Sequence, residues 1–149
     1  MKLFGLTTTW IVAFCLLVSP AMGDVSRTEL ELVQAISDVR QQNGVSGVRA
    51  SHTLAASAGR YSHWQLENDY FGHQPQIRMS SNFSTKGEVL RLVIGNGVGV
   101  DRTLRLWMNS SSHRNAILYP SMREAGAGIA RVHYQGRRAV IVTVHLGAR

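Results

Sequence analysis

The position of the single cysteine sets the strongest constraint on how this chain can fold. Of its 149 residues only Cys15 is a cysteine, and it lies in an apolar stretch that runs from Trp10 to Val18. One cysteine can form neither an internal disulfide nor a cysteine-based zinc site. A hydrophobic core must therefore hold the fold without cross-links, and 44% apolar residues is an ordinary supply for one globular domain of this length.

The first 23 residues have the three parts of a secretory signal peptide. Met1-Lys2 gives a positive start, Ser19-Pro20 breaks the apolar stretch, and Ala21-Met22-Gly23 offers the small residues that signal peptidase requires. We predict cleavage after Gly23 and a secreted or periplasmic protein with a single domain, residues 24–149. The alternatives are an uncleaved membrane anchor or a buried first helix, but the apolar run is short for a membrane span.

The charge of the chain bears on its partners. Lys and Arg exceed Asp and Glu by 16 to 9, which gives a formal net charge of +7. Because the basic residues are scattered, with no run of five and no aromatic-basic motif, we expect no nucleic-acid partner. Either the basic surface is simply solvated, or it faces an anionic envelope polymer or a membrane surface outside the cell.

Helical patterns dominate the first half of the chain. Ser26-Arg-Thr-Glu29 has the spacing of a capping box and predicts a helix over residues 27–42. A second helix is predicted from a Ser51 cap to about Asp69-Tyr70, and its small residues 55–59 would let another element approach closely. Residues 74–87 are predicted to form a loop, and the short apolar run 88–93 to be helical.

The pattern changes to strands near the C-terminus. A third helix, capped by Asp101, is predicted to break at residues 110–112. Two β-rich stretches, residues 126–132 and 139–146, follow and are joined by a hairpin at residues 134–136. Helices first and paired strands last predict an α+β layered domain.

Three side chains stand out as carriers of chemistry. His73 and His113 each follow a helix end beside small residues, and Glu88 follows Gly87 at the start of an element. Two imidazoles and a carboxylate can bind zinc, but their separation is no local metal motif and histidine is often a structural donor, so both interpretations stay open. For His145, in a strand, we expect a core or cross-strand role. No metalloprotease helix motif and no nucleophile elbow is present.

Several segments together resemble one known family. Residues 107–120, WMNSSSHRNAILYP, are similar to the "Trp-x-x-Ser-Pro-Gly-His-Arg-x-x-Ile-Leu-x-Pro" signature of bacterial CAP-domain proteins. The segments 70–73 (YFGH), 87–90 (GEVL), 126–130 (GAGIA) and 144–147 (VHLG) resemble further family motifs in the right order. The resemblance implies a three-layer α-β-α sandwich with a central antiparallel sheet and a large cleft.

The resemblance also implies a site. In many family members the cleft holds two histidines and two acids that can take a divalent cation; His73, Glu88 and His113 match three of them. The fourth position falls at Ser110, as in many bacterial relatives, and Val89 replaces the usual Asn. We therefore expect a weakly bound Zn or Mg ion at most.

Simpler roles stand beside these. Trp107 is expected in the core, packing the third helix onto the sheet. Arg114 is expected to pair with an acid such as Glu124 or Glu67. A hydrogen bond between His113 and Glu88 would make a structural latch without metal.

Three functions follow. The leading hypothesis is a secreted, non-enzymatic binding module for a lipid, a sterol or an anionic envelope component, because catalysis is not general in the family. The rival is a metal-assisted hydrolase in which His73 and His113 hold the cation and Glu88 is the base. The third is a structural surface protein with a vestigial cleft.

Overall fold

The computed structural model describes residues 26–79 and 82–149. The predicted signal peptide and its cleavage site, and Ser80 and Ser81 of the predicted loop, lie outside the described residues. In chain order the elements are α1 Arg27–Gln42, β1 Arg49–Ala50, α2 His52–Glu67, β2 Thr85–Ile94, α3 Val100–Asn109, α4 Ser111–Ile117, β3 Glu124–Tyr134 and β4 Arg137–Ala148.

The four strands form one sheet in the order β1-β3-β4-β2. β4 is central and pairs antiparallel with β2 and with β3, whereas the two-residue β1 adds to β3 in parallel. β3 and β4 are joined by Gln135 and Gly136, with φ of 50° and 74°. A two-residue turn with both φ values positive matches the twist of the flanking strands. The predicted C-terminal hairpin is confirmed.

Helices cover both faces of this sheet. The alternating Val140, Val142 and Val144 of β4 face the main apolar core, which also contains Leu32, Ile36, Trp107 and Ile117 of α1, α3 and α4. α2 packs against β3 and β4 on the opposite face, where Ile141, Thr143 and His145 are buried. The three-layer α-β-α sandwich is confirmed, with a central sheet that is antiparallel except at β1.

α2 lies directly on β3 because Gly126 and Gly128 of β3 carry no side chain at the contact. A Cβ built on Gly126 would overlap the backbone of Ala55, and one on Gly128 would overlap the backbone of Gly59. The small residues of α2 therefore do allow the close approach that the sequence predicted. This contact sets how far the polar side chains of α2 reach across the sheet.

A buried arginine of α1 holds the C-terminal end of α4 in place. Arg40 of α1 is fully buried and donates to the carbonyls of Ser46 (2.8 Å), Tyr119 (3.0 Å) and Met122 (3.0 Å), and also to that of Ile117. Burial and the charge of Arg123 lower the pKa of the Arg40 guanidinium. The carbonyl dipoles take the place of an acidic partner and tie the end of α4 to α1.

Some element predictions are confirmed and others are wrong. α1 has the predicted bounds, and its capping box is present. Residues 88–93 are not helical: they belong to the ten-residue strand β2, which pairs along its whole length with β4. A short apolar run in the sequence does not distinguish a helix from a buried strand. Here the backbone pairing with β4 makes the segment a strand.

Two predicted caps also differ from the structure. Ser51 occupies the N-cap of α2, but its side chain makes no capping hydrogen bond; its hydroxyl instead helps to lower the pKa of Glu124. α3 begins at Val100 with Gly99 as N-cap, so Asp101 lies in the first turn, where its carboxylate faces the positive end of the helix dipole.

The close contact of α2 with β3 yields a stability prediction. Gly128→Ala places a methyl group against helix backbone that cannot rotate away, and we expect it to destabilise the protein by about 3 kcal/mol or more. Gly97→Ala is the matched control, since a Cβ there meets nothing within 4 Å; it should change stability by less than about 0.5 kcal/mol. Urea unfolding followed by circular dichroism measures both, and equal stability of the two variants would contradict the close-contact argument.

Candidate functional site

Glu88 of β2 is the centre of the polar site. Its buried carboxylate accepts four hydrogen bonds. Oε1 accepts from Nδ1 of His73 at 3.0 Å and from the backbone N–H of Gln74 at 3.2 Å. Oε2 accepts from the side-chain amide of Gln74 at 2.8 Å and from Nε2 of His145 at 3.1 Å. Both oxygens are therefore fully engaged by donors of the protein.

These donors keep the carboxylate ionised. Burial alone would raise the pKa of Glu88, but the hydrogen bonds from His145, Gln74 and His73 together outweigh burial and hold that pKa below its ordinary value. Glu88 is thus a fixed negative charge at neutral pH.

The strand register explains why Glu88 meets His145. The two residues are direct partners across β2 and β4, so their side chains leave the same face of the sheet side by side. On that face α2 supplies Ser57, whose hydroxyl lies 2.7 Å from Nδ1 of His145 and 2.9 Å from the carbonyl oxygen of Leu54. Ser57, His145 and Glu88 therefore form a continuous buried chain beneath His73.

His145 is the residue that the sequence interpretation left out of the site. The cross-strand role expected for it is correct, yet its partner is the key carboxylate. One signal was available: Thr143 and His145 are polar residues on one face of the segment 139–148, whose other residues are apolar or glycine. Polar side chains at buried positions indicate hydrogen-bonded partners, but not which ones.

A second imidazole lies opposite His73, at the place where the family resemblance implies a cleft. His113 of α4 has its ring centroid 6.4 Å from that of His73 and 6.4 Å from that of Trp107. Its Nδ1 is 2.9 Å from the hydroxyl of Ser110. Burial, with the neighbouring His73, lowers the pKa of His113 below its ordinary value. The ring is therefore mainly neutral at pH 7.

The predicted site residues are only partly brought together. His73 contacts Glu88 and faces His113. The predicted hydrogen bond between His113 and Glu88 is not formed, because His113 bonds to Ser110. Glu88 is instead bonded to His73 and His145. Among residues 26–79 and 82–149, no group of three or more His, Cys, Asp or Glu is arranged to hold a metal ion.

Of the two residues expected in supporting roles, Trp107 has the predicted environment and Arg114 does not. Trp107 is buried as predicted, and its indole N–H donates to the carbonyl of Leu90 at 2.9 Å. Arg114 makes neither predicted ion pair: it donates to the carbonyl of Met108 at 3.0 Å. Glu124 is instead held by Arg49 and Arg149, each at 2.9 Å.

The fold and the sequence both identify this chain as a CAP domain. The sequence profile of the Cysteine-rich secretory protein family matches residues 33–146, and the chain belongs to this family. The uncharacterised protein YkwD of Bacillus subtilis is 30% identical over 117 residues, which cover 72% of this chain and 44% of YkwD. The chain thus spans less than half the length of this curated relative.

Solved structures agree on the fold. An outer surface protein of Borrelia burgdorferi is 21% identical, with a TM-score of 0.63 over 80% of this chain and 90% of that protein. An extracellular SCP-domain protein of Bacillus anthracis is 18% identical, with a TM-score of 0.63 over 85% of this chain and 45% of its own. At such identities the likeness concerns the fold alone.

Within the described part of the chain, no helix has both the length and the apolar character needed to cross a bilayer.

The hydrogen-bonded carboxylate yields a pH prediction. Glu88→Gln should destabilise the metal-free protein at pH 7 by about 2 kcal/mol, because it removes the charge that three side chains are arranged to bind. The folded-state pKa of Glu88 is lowered, so the unfolded chain takes up the proton first as the pH falls. The advantage of the wild type should therefore shrink below the ordinary pKa of 4.5 and vanish below the folded-state pKa.

Urea unfolding of both proteins at several pH values between 3 and 7, with EDTA present, measures this difference. An advantage that stays constant over that range would contradict the argument. Glu67→Gln, on the exposed end of α2, is the matched control and should show no comparable pH dependence.

Proposed function

We propose that this protein is an extracellular CAP-domain binding module that does not act as a hydrolase. The observation that carries the proposal is the saturation of Glu88: both its oxygens are occupied by donors of the protein, and its pKa is lowered. A general base needs a free lone pair and a pKa near the working pH. Glu88 has neither and is suited to a structural and electrostatic role.

An extracellular location is supported by the family and by the predicted signal peptide. The Borrelia burgdorferi protein is described as an outer surface protein and the Bacillus anthracis protein as extracellular. The net charge of +7 favours an anionic envelope component or a lipid headgroup as the partner.

The cleft residues are compatible with a divalent cation held by two imidazoles. Glu88 engages Nδ1 of His73, so Nε2 of that ring remains for a ligand, and the side chain of His73 is 58% exposed. Ser110 likewise engages Nδ1 of His113. Such partners on the second nitrogen fix the ring orientation and raise the basicity of a ligating histidine.

This donor set favours zinc over magnesium and predicts weak binding. Imidazole nitrogen suits zinc, whereas magnesium requires oxygen ligands. The carboxylate oxygens of Glu88 are occupied, and Ser110 stands where many family members have a second acid. Two protein ligands then remain, one fewer than the three of typical catalytic zinc sites. A bound cation would act as a bridge between the cleft and a ligand carrying negative charge.

The rival functions differ from this proposal in what they require. A hydrolase requires Glu88 to leave its four donors or requires another base. A vestigial cleft requires that His73 and His113 contribute to stability alone.

Calorimetric titration of zinc and of magnesium into the purified protein tests the proposal. We expect saturable one-to-one binding of zinc and none of magnesium. His73→Ala and His113→Ala should each weaken zinc binding by about tenfold or more, because each removes half of the protein ligands. His133→Ala, an exposed histidine on β3, is the matched control.

Two results would overturn the proposal. Zinc binding that is unchanged in the double variant His73→Ala/His113→Ala would place the cation elsewhere. Hydrolysis of an ester or glycoside substrate that is lost in Glu88→Gln and silenced by chelator would establish the rival function.

A further inference from the structure

Exposed aromatic rings form a contiguous surface beside the cleft. Tyr61 and Trp64 of α2 stack with their ring centroids 5.7 Å apart and their planes 12° apart. Tyr70, just beyond α2, packs against Trp64 at 5.7 Å with its plane turned by 68°. We call Tyr61, Trp64 and Tyr70 the aromatic platform. Trp64 is 46% exposed and Tyr70 41% exposed, whereas Tyr61 lies buried beneath them.

The platform is held rigid by its own hydrogen bonds. The hydroxyl of Tyr61 donates to the carbonyl of Gly72 at 2.6 Å, and that of Tyr70 donates to the carbonyl of His73 at 3.4 Å. Burial, with the charges of Glu88 and Tyr70, raises the pKa of Tyr61 to about 12, which keeps this hydroxyl a donor. Rigid aromatic side chains lose little conformational entropy when a ligand covers them.

Packing in the hydrophobic core does not explain why these aromatic rings lie together at the surface. Large apolar side chains scattered singly on a surface are ordinary, and Leu30, Ile94, Leu106 and Tyr119 are of that kind, each on or beside a different element. Trp64 and Tyr70 instead form one patch, because their rings are in edge-to-face contact. A contiguous exposed aromatic patch marks an interaction site.

Acidic side chains next to the aromatic platform limit the chemical class of ligand that it can bind. Glu67 lies one helical turn after Trp64, and Asp69 directly precedes Tyr70; both are exposed. In the part of the chain that the structure describes, neither carboxylate makes an ion pair or hydrogen bond. They can accept hydrogen bonds from a ligand, and they repel the phosphates of an anionic membrane. Arg60, one turn before Trp64, adds a single positive charge.

We propose that the aromatic platform binds an uncharged β-linked glycan: a pyranose ring stacks on Trp64, and Tyr70, whose plane is turned by 68° from that of Trp64, contacts the edge of the sugar. The apolar C–H face of such a ring covers an aromatic face, and its equatorial hydroxyls point outward in the plane of the sugar, toward acceptors such as Glu67 and Asp69. The aromatic area suits the C–H face of this ligand and the flanking carboxylates suit its hydroxyls, whereas the same carboxylates disfavour an anionic bilayer.

The aromatic platform lies next to the cleft, but ligand binding to the platform does not depend on the cleft residues. Tyr61 and Tyr70 bind the backbone of Gly72 and His73, so the rings border the cleft on the His73 side. A glycan chain that continues past Tyr70 would run toward the two imidazoles. Stacking on the platform itself uses neither imidazole and needs no cation, so it goes beyond the function proposed above.

Titration of the protein with the tetramers of β-1,4-linked N-acetylglucosamine and β-1,4-linked glucose, with EDTA present, tests the inference. We expect saturable calorimetric binding of at least one tetramer, accompanied by a change in tryptophan fluorescence. Trp64→Ala and Tyr70→Ala should each weaken binding about tenfold or more, whereas Trp64→Phe, which retains a ring, should lose less. Leu106→Ala is the matched control, since Leu106 is equally exposed on α3.

Each other outcome overturns the inference. No binding of either tetramer, or unchanged binding by Trp64→Ala, removes the platform as a glycan site. Binding to vesicles of phosphatidylglycerol or phosphatidylcholine that requires Trp64, without tetramer binding, assigns the surface to a membrane instead. Because EDTA is present throughout, failure of the zinc site leaves the result unaffected. Unfolding in urea confirms that the variants are folded.

Discussion

The contact between α2 and β3 is the constraint on which the other features depend. Gly126 and Gly128 bring the helix backbone against the strand, so the side chains of α2 project over β4 at short range. Ser57 can therefore reach the ring of His145, and Ser62 can donate to the carbonyl of Gly128 at 2.9 Å. A helix held farther away by larger side chains would leave these buried polar groups without partners, at a cost of about 1–3 kcal/mol each.

The buried polar groups on this face converge on one charge. Glu88 is a carboxylate inside the protein, and such a charge persists only when hydrogen bonds replace the water it has lost. Gln74 and two histidines provide them. The same bonds that hold the charge in place deprive it of basicity, so the feature that stabilises the cleft floor also removes it as a proton acceptor.

Local patterns in the sequence predicted the elements that local interactions determine. The capping box of α1 and the turn between β3 and β4 are such cases, and the family motifs located His73, Glu88 and His113. β2 was mistaken for a helix because its strand character comes from pairing with β4, which lies about 50 residues later. The role of His145 was missed for the same reason: the register of two distant strands decides which residue stands next to Glu88.

His73 and His113, the two imidazoles of the cleft, are held in place by different parts of the fold. His73 is fastened through Glu88 to the sheet, whereas the end of the helix that carries His113 is fastened through Arg40 to α1. Substitutions around residues 110–112 can therefore change the width of the cleft and leave the chemistry of its floor intact. The side of the site that carries His113 is thus open to redesign without disturbing the hydrogen bonds that hold Glu88.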